Sequence, residues 1–182
     1  LGMDGDAGLI RGVASVIGQE GEQNGFYRSL LDKIPSALPF LTTSTREFAF
    51  SALNQGFIVP GSCPNINTIA LPIFKPLNVV STNIEAKAGT LQFSFTADST
   101  QIASSYLSGL SLVYINQQNT PIIEKLQDIE VKGNQVTFKA TFPFDQATFG
   151  NGLTIVAVTS GATSFANAGA VANATLFGPG LI

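Results

Sequence analysis

The residues with the clearest potential for chemistry are a glutamate and a glutamine placed three positions apart near the start of the chain. Glu20 and Gln23 lie in a segment whose apolar residues recur with helical spacing, and both fall on the same stripe as those apolar residues. Some helical bundles hold two metal ions with a glutamate and a second ligand at this spacing, although that ligand is a histidine. We weigh an iron or other divalent metal site against a buried polar network around Glu20, and we favour the network.

The segment that must position this pair is predicted to be a long helix over residues 6–33. Four glycines interrupt it, Gly12, Gly18, Gly21 and Gly25, and each costs a helix about 1 kcal/mol relative to alanine. Such a helix needs close packing against other helices. We therefore expect either a companion N-terminal fragment or a homo-oligomer formed through the first helix. Because the chain begins at Leu1 rather than at a methionine, we also expect a processed or fragmentary start.

A second, shorter helix is predicted over residues 45–55. Ser44 followed by Glu47 matches a capping box, and the predicted apolar face comprises Phe48, Ala49, Ala52 and Leu53. Residues 57–80 form a connector interrupted by four prolines. Its many apolar residues predict that it lies packed along a surface rather than as a free linker.

From residue 83 onward the apolar pattern changes to the period of two that is typical of half-buried strands. We predict strands over residues 91–96, 110–116, 122–131 (irregular or broken), 136–142, 153–159 (central) and 170–177. Short strands with turn residues at this spacing indicate an antiparallel β-sandwich of immunoglobulin-like size. The predicted class is therefore α+β, with a helical segment at 1–56, the connector at 57–80 and the sandwich at 81–182.

Composition excludes several classes of function. The chain contains no histidine, which rules out a Ser-His-Asp triad and histidine-ligated zinc within it. A net charge of −3 and the lack of a basic cluster argue against nucleic-acid binding, and no apolar run approaches the roughly 20 residues that span a membrane. With no catalytic constellation, we expect the protein not to be an enzyme.

Cys63 is the single cysteine of the chain, so an internal disulfide is impossible. It lies between prolines in the sequence Pro-Gly-Ser-Cys-Pro, which predicts a rigid loop. The alternatives are a buried free thiol and a disulfide to a cysteine outside this chain, and we favour the disulfide, which requires an oxidising compartment.

One further motif concerns the protein surface. Asn173 begins an Asn-Ala-Thr glycosylation acceptor, and it must face solvent on its predicted strand if it is used. The motif and the low charged fraction of 12% favour a secreted protein. A glycan-binding module on the sandwich is a further alternative, although the absence of tryptophan weakens it and core packing accounts better for the fourteen phenylalanines.

Three segments resemble a known family. The sequences QEGEQNGFYR at residues 19–28, FIVPGSCP at 57–64 and LFGPG at 176–180 are similar to those of the fungal secreted ferritin-like proteins, often labelled stress-response or late-sexual-development proteins. The resemblance implies an N-terminal ferritin-like helical bundle, of which residues 6–33 are the last helix, followed by a β-rich region. It implies that Glu20 and Gln23 stand where a Glu-x-x-His pair would be, with glutamine in place of histidine.

Taken together, these patterns favour a non-enzymatic, secreted or cell-wall-associated structural or stress-related protein. An iron-binding protein completed by a missing helical segment is the first alternative. A glycan-binding β-sandwich module, with cell-wall glycan as its partner, is the second.

Overall fold

A computed structural model describes residues 5–35 and 40–182, and the chain divides into two compact units, residues 1–39 and 40–182. The first unit contains one long helix, and the second contains two antiparallel sheets of four strands each. The predicted α+β class with antiparallel sheets is therefore confirmed. The ferritin-like bundle stays a prediction.

The long helix, α1, spans Ile10–Leu30 and follows a single 3-10 turn at Ala7–Leu9. The prediction of residues 6–33 was therefore too long at both ends. The helix ends early because Asp32 adopts a left-handed conformation with φ of 54°, and the Lys33 N–H then donates back to the Arg28 carbonyl at 2.9 Å. A left-handed residue with this hydrogen bond is a common helix C-terminus.

The second helix, α2, spans Arg46–Gly56. Its N-cap is Thr45, whose hydroxyl accepts from the Phe48 N–H at 3.3 Å. The predicted Ser44–Glu47 capping box is therefore wrong, since the N-cap lies one residue later and the residue three positions after it is a phenylalanine. The buried residues of α2 are Phe48 and Ser51, whereas Leu53 is exposed. Ser51 lies inward because its hydroxyl accepts from the Phe74 N–H at 3.0 Å, a bond that the apolar pattern could not indicate.

The second unit is built from eight strands: β1 Leu77–Val79, β2 Gly89–Thr96, β3 Leu110–Asn116, β4 Ile122–Lys125, β5 Gln127–Lys132, β6 Gln135–Phe142, β7 Thr154–Ser160 and β8 Thr175–Leu181. The first sheet has the order β1-β2-β6-β5 and the second has the order β4-β3-β7-β8. All pairs are antiparallel. Two short helices complete the fold, α3 at Ser104–Leu107 and α4 at Ala168–Ala174.

The two sheets share one apolar core. Alternate residues of β6 are buried, as the period of two predicted, and in β2 the alternate residues Leu91, Phe93 and Phe95 are buried together with Ser94. The Phe93 and Phe138 rings stack with centroids 5.5 Å apart. Contact between the sheets is direct, since the Phe95 ring lies 4.0 Å from that of Phe177 on β8. Burying a phenylalanine contributes about 2 to 3 kcal/mol, so these rings dominate the stability of the sandwich.

A second apolar cluster covers the outer face of the second sheet. Phe48 of α2 and Val171 of α4 pack there against Val113 and Ala157. This explains why β7 is buried on both faces over six of its seven residues, which confirms the prediction of a central strand. It also places α2 in the second unit, whereas the sequence grouped it with the first helix in residues 1–56.

Three of the predicted segments differ from the structure in their details. Residues 77–79, predicted as connector, form β1 and pair with β2. The strand predicted as irregular or broken over 122–131 is broken, and its two parts lie in different sheets because the chain crosses between the sheets at Leu126, which packs against the shared core. Residues 168–174, in which a last strand was predicted from 170 onward, form α4, and the strand starts at Thr175.

Candidate functional site

The predicted pair on the first helix lies in open solvent within the described chain. Glu20 and Gln23 are both exposed, and α1 contains no buried residue. Within the first unit, no described residue packs over the stripe that carries them, so the inward-facing position that the sequence predicts is not seen there. Only Gly25 and Arg28 of this helix are half-buried, and Arg28 donates its Nε hydrogen to the Ile34 carbonyl at 2.7 Å.

The residues present do not fit a metal ion. Among residues 5–35 and 40–182, no three histidine, cysteine, aspartate or glutamate side chains come together as a potential set of ligands. Glu20 would contribute one carboxylate, and Gln23 offers an amide oxygen, which is a weak ligand for iron or zinc. An iron centre at Glu20 would need its other ligands from outside residues 5–35 and 40–182, so we derive no chemistry through a metal.

The exposed apolar surface of α1 is the most unusual feature of the first unit. The large apolar side chains with roughly half or more of their surface in solvent are Leu9, Ile10, Val13, Val16, Ile17, Phe26, Tyr27, Leu30, Leu31 and Ile34. Scattered apolar residues are normal on a surface, but two groups of them, at the two ends of one helix, mark an interaction site. We call the stripe formed by Leu9, Val13, Val16, Glu20, Gln23, Tyr27 and Leu31 the seam.

A shallow apolar depression lies at the N-terminal half of the seam. Gly8, Leu9, Gly12, Val13 and Val16 line it. A Cβ atom added at Gly12 would meet nothing within 4 Å, so the glycine leaves the floor of the depression open. Large side chains around a small one form the kind of surface into which an apolar side chain of another helix can insert.

Cys63 lies in the loop between α2 and β1 and is half-buried and free. Gly61 in the same loop adopts a left-handed φ of 81°, and the Ser62 N–H donates to the Val59 carbonyl at 3.0 Å, so the segment is a tight turn. The thiol is thus neither deeply buried nor paired. A disulfide to a cysteine outside this chain stays a prediction.

Asn173 lies on α4 rather than on a strand, and its side chain is exposed. The helix forms because Asn167 caps it, its side-chain oxygen accepting from the Ala170 N–H at 3.0 Å, and because four of its seven residues are alanine. The exposure that glycosylation requires is present, although the element differs from the prediction.

The outer face of the first sheet carries a polar surface that the sequence patterns did not single out as a site. The side chains that alternate with the core residues of β2, β5 and β6 are Thr90, Gln92, Ser94, Thr96, Gln127, Glu130, Lys132, Gln135, Thr137, Lys139 and Thr141. We call this set the polar face. In the sequence it corresponds to the polar residues that alternate with apolar ones along each strand, a pattern that predicts exposure to solvent but does not by itself indicate a binding site.

A depression on the polar face brings several hydrogen-bonding groups together. Gln92, Gln127, Asp128 and Lys139 line it, with Ser81 at its edge. Asp128 adopts a left-handed φ of 47° at an irregularity in the pairing of β5 with β6, and this brings its carboxylate 2.9 Å from the Lys139 ammonium. Amide, hydroxyl and ion-pair groups of this kind can hydrogen-bond to a polar, uncharged ligand.

The sandwich also contains a tyrosine and a glutamate that sequence analysis did not identify. Tyr114 is fully buried in the shared core, and no described residue lies within hydrogen-bond distance of its hydroxyl. Glu124, on the edge strand β4, pairs with the core residue Leu112 and so faces the same side of the sheet. Burial raises the pKa of the Tyr114 phenol, the charge of Glu124 adds to that rise, and burial also raises the pKa of Glu124.

Comparisons with known proteins do not identify the chain: no protein family, no curated protein and no solved structure matches it significantly. Within residues 5–35 and 40–182, no helix combines the length and the hydropathy that crossing a membrane requires.

Proposed function

We propose that this chain is a non-enzymatic structural protein, secreted or cell-wall-associated and of the stress-related type, that joins a larger assembly through its first helix. The observation that carries the proposal is the apolar surface of α1, which includes the seam: seven large apolar side chains of this helix are exposed, and no residue of it is buried. A helix with four glycines and no buried side chain gains too little from its own hydrogen bonds to be stable alone in water. Association with other helices supplies the missing burial.

Two observations support the architecture within this proposal. The sheet orders β1-β2-β6-β5 and β4-β3-β7-β8 correspond to the ABED and CFG sheets of an immunoglobulin-like sandwich with one extra strand beside C. Domains of this kind commonly act as rigid spacers or binding modules, and the fold alone does not choose between these roles.

The exposed Asn173 supports a secreted location. The resemblance of residues 19–28 and 57–64 to fungal secreted ferritin-like proteins supports an α1 that packs within a helical bundle.

The proposal is tested by comparing two single-charge variants in the natural host. Val16→Glu places a carboxylate in the seam, and Ser15→Glu places the same group on the adjacent position, outside it. We expect Val16→Glu to reduce the size of the assembly that contains the protein in culture medium or cell-wall extracts, and Ser15→Glu to leave it unchanged. Equal behaviour of wild type and both variants would contradict the proposal, as would specific turnover of a defined substrate by the pure protein.

A second candidate function is glycan binding, and the polar face is the observation that favours it. Its hydroxyl and amide side chains are mostly exposed, and the depression at Gln92 and Lys139 is open to solvent. The test is retention on chitin and on β-glucan. We expect Lys139→Ala to weaken retention and Lys87→Ala, which changes a lysine paired with Glu85 on a loop, to leave it intact. Free passage of the wild-type protein over both polymers would exclude this function.

A further inference from the structure

We propose that the partner of α1 is α1 of a second copy of this chain, packed antiparallel in the register that sets Val16 against the partner's Tyr27. This inference rests on the proposed function, since it names the partner of the same helix. It follows from three features of the seam: where its depression lies, where its largest side chains lie, and how its charges are ordered.

The depression is built like a hole in a coiled coil. Leu9, Gly12, Val13 and Val16 are spaced as residues i, i+3, i+4 and i+7 of one helix, and four residues at this spacing form the hole that receives one side chain of a facing helix. The open floor at Gly12 makes the hole deeper than valine or leucine would allow. A large apolar side chain that is not branched at Cβ, such as leucine, fits this hole best.

The matching side chains lie at the opposite end of the same helix. Leu30 and Leu31 are 65% and 67% exposed, so neither is used within the described chain. An antiparallel pair sets the hole of each copy against these leucines of the other, and the two-fold axis makes the contact twice. A parallel pair would instead set hole against hole and leucine against leucine.

The same register also makes a second apolar contact that pairs side chains by size. Val16 lies opposite the partner's Tyr27, and both residues are exposed in the single chain. The contact joins a small aliphatic residue to a larger aromatic one, which is the alternation that fills the space between two helices.

The polar residues of the seam also find partners in this register. Glu20 lies opposite the partner's Gln23, so the glutamine amide can donate to the carboxylate, and the two-fold axis repeats the bond. In a parallel pair Glu20 would face the partner's Glu20, and like charges at a helix interface are destabilising. The charge order thus favours the antiparallel pair.

The first measurement is the mass of the pure, full chain in solution, over about 1 to 100 μM, by sedimentation velocity. We expect a species of twice the 19.0 kDa chain mass, retained in Ser15→Glu and weakened at least about tenfold in Val16→Glu, which corresponds to 1.4 kcal/mol or more. A wild-type protein that is monomeric across this range overturns the inference.

Disulfide trapping then tests the orientation. In a Cys63→Ser background, the double variant Val16→Cys, Tyr27→Cys is expected to form a cross-linked dimer on mild oxidation. The single variant Val16→Cys is expected to remain uncross-linked, because its two copies are separated along the antiparallel pair by about 16 Å of helix. Efficient cross-linking of the single variant indicates a parallel pair and overturns the inference.

The two proposals can fail separately. If the pure chain is monomeric but the assembly in natural extracts is lost in Val16→Glu, the partner is a different polypeptide: the second-copy inference is then wrong, and the proposed function stands. If Val16→Glu changes neither the pure chain nor the extract, both are wrong.

Discussion

The side-chain amide of Gln55 on α2 lies 2.9 Å from the backbone carbonyl of Gly178 on β8, and the same nitrogen lies 2.8 Å from the carbonyl of Phe74. One amide thereby satisfies two carbonyl groups from segments that are distant in sequence. Together with Ser51, which accepts from the Phe74 N–H and donates to the Pro72 carbonyl, it attaches α2 to the outer face of the second sheet. These hydrogen bonds explain why the polar residues Ser51 and Gln55 lie on the face of α2 that packs on the sheet, where the apolar pattern predicted only apolar residues.

Replacement of Gln55 by alanine should leave the carbonyls of Phe74 and Gly178 without their donor. Because a lost hydrogen bond costs about 1 to 3 kcal/mol when its partner stays buried, we expect a loss of about 2 kcal/mol in the free energy of unfolding. Leu53→Ala is the matched control on the same helix, since Leu53 is 49% exposed and should cost less. Urea denaturation measures both, and equal losses would contradict the attachment role of Gln55.

Asn116, at the end of β3, should be one of the most sensitive positions of the sandwich. It is fully buried, donates to the Asn151 and Leu153 carbonyls and to the Thr154 hydroxyl, and accepts from the Gly150 N–H at 3.0 Å. Gly150 can approach it only as a glycine, because φ is 93° and a Cβ would lie 2.8 Å from the Phe144 ring.

We expect Asn116→Ala to destabilise the protein by about 3 kcal/mol, since several buried groups lose their partners at once, and to lower Tm by about 10 °C. Asn119→Ala removes an exposed amide that donates only to the Thr148 carbonyl and should cost less than about 1 kcal/mol. Differential scanning calorimetry compares the two. A small effect at Asn116 would mean that water replaces its hydrogen bonds.

Tyr114→Phe should stabilise the protein. The Tyr114 hydroxyl is buried without a partner among the described residues, so its removal takes away a desolvated polar group while the ring keeps its contacts with Phe93 and Phe142. We expect a gain of about 1 kcal/mol, or about 2 to 4 °C in Tm. Tyr106→Phe is the control, because its hydroxyl accepts from the Gln101 amide at 3.3 Å, and it should not stabilise. A loss of stability in Tyr114→Phe would show that the hydroxyl is hydrogen-bonded in solution.

Glu124 should make the stability of the sandwich depend on pH. Burial raises the pKa of this carboxyl in the folded protein, so its favourable contribution is complete below the unfolded pKa of about 4.3 and is lost as the pH rises through the folded pKa. Glu124→Gln removes that loss. We expect the variant to exceed wild type in Tm at pH 7.5 and the difference to vanish near pH 4.

Comparing Glu124→Gln with wild type removes the pH dependence of stability that the other carboxyls contribute, because both proteins contain them. Hydrogen bonds from the Thr148 hydroxyl and from backbone N–H groups lower the pKa of Asp145, and its contribution is lost as the pH falls, equally in both proteins. Glu130→Gln, on the exposed side of β5, is the control for the loss of one negative charge from the surface. A difference between Glu124→Gln and wild type that is the same at both pH values would contradict the assignment.

The strands with regular alternation could be predicted from the sequence because each has one face in the core and one in solvent. Residues 110–116 were predicted with the observed bounds, and β2, β6 and β7 within one or two residues. The period of two carries this information locally, since a shift by one residue would expose every buried phenylalanine. The same alternation predicted the residues of the polar face, since they lie between the buried residues of each strand.

The sequence by itself thus determined the α+β order, the antiparallel strands, the exposed polar half of each strand and the absence of histidine chemistry, because these depend on residue type and local spacing. Tertiary structure alone decided the rest. An alanine-rich segment became α4 because it packs on the second sheet. Residues 122–132 divided between two sheets because their partners β3 and β6 lie on opposite sides of the core. Ser51 and Gln55 faced inward because carbonyl and N–H groups from distant parts of the chain lie there. Partners that are far apart in sequence leave no local period, so only the folded chain reveals them.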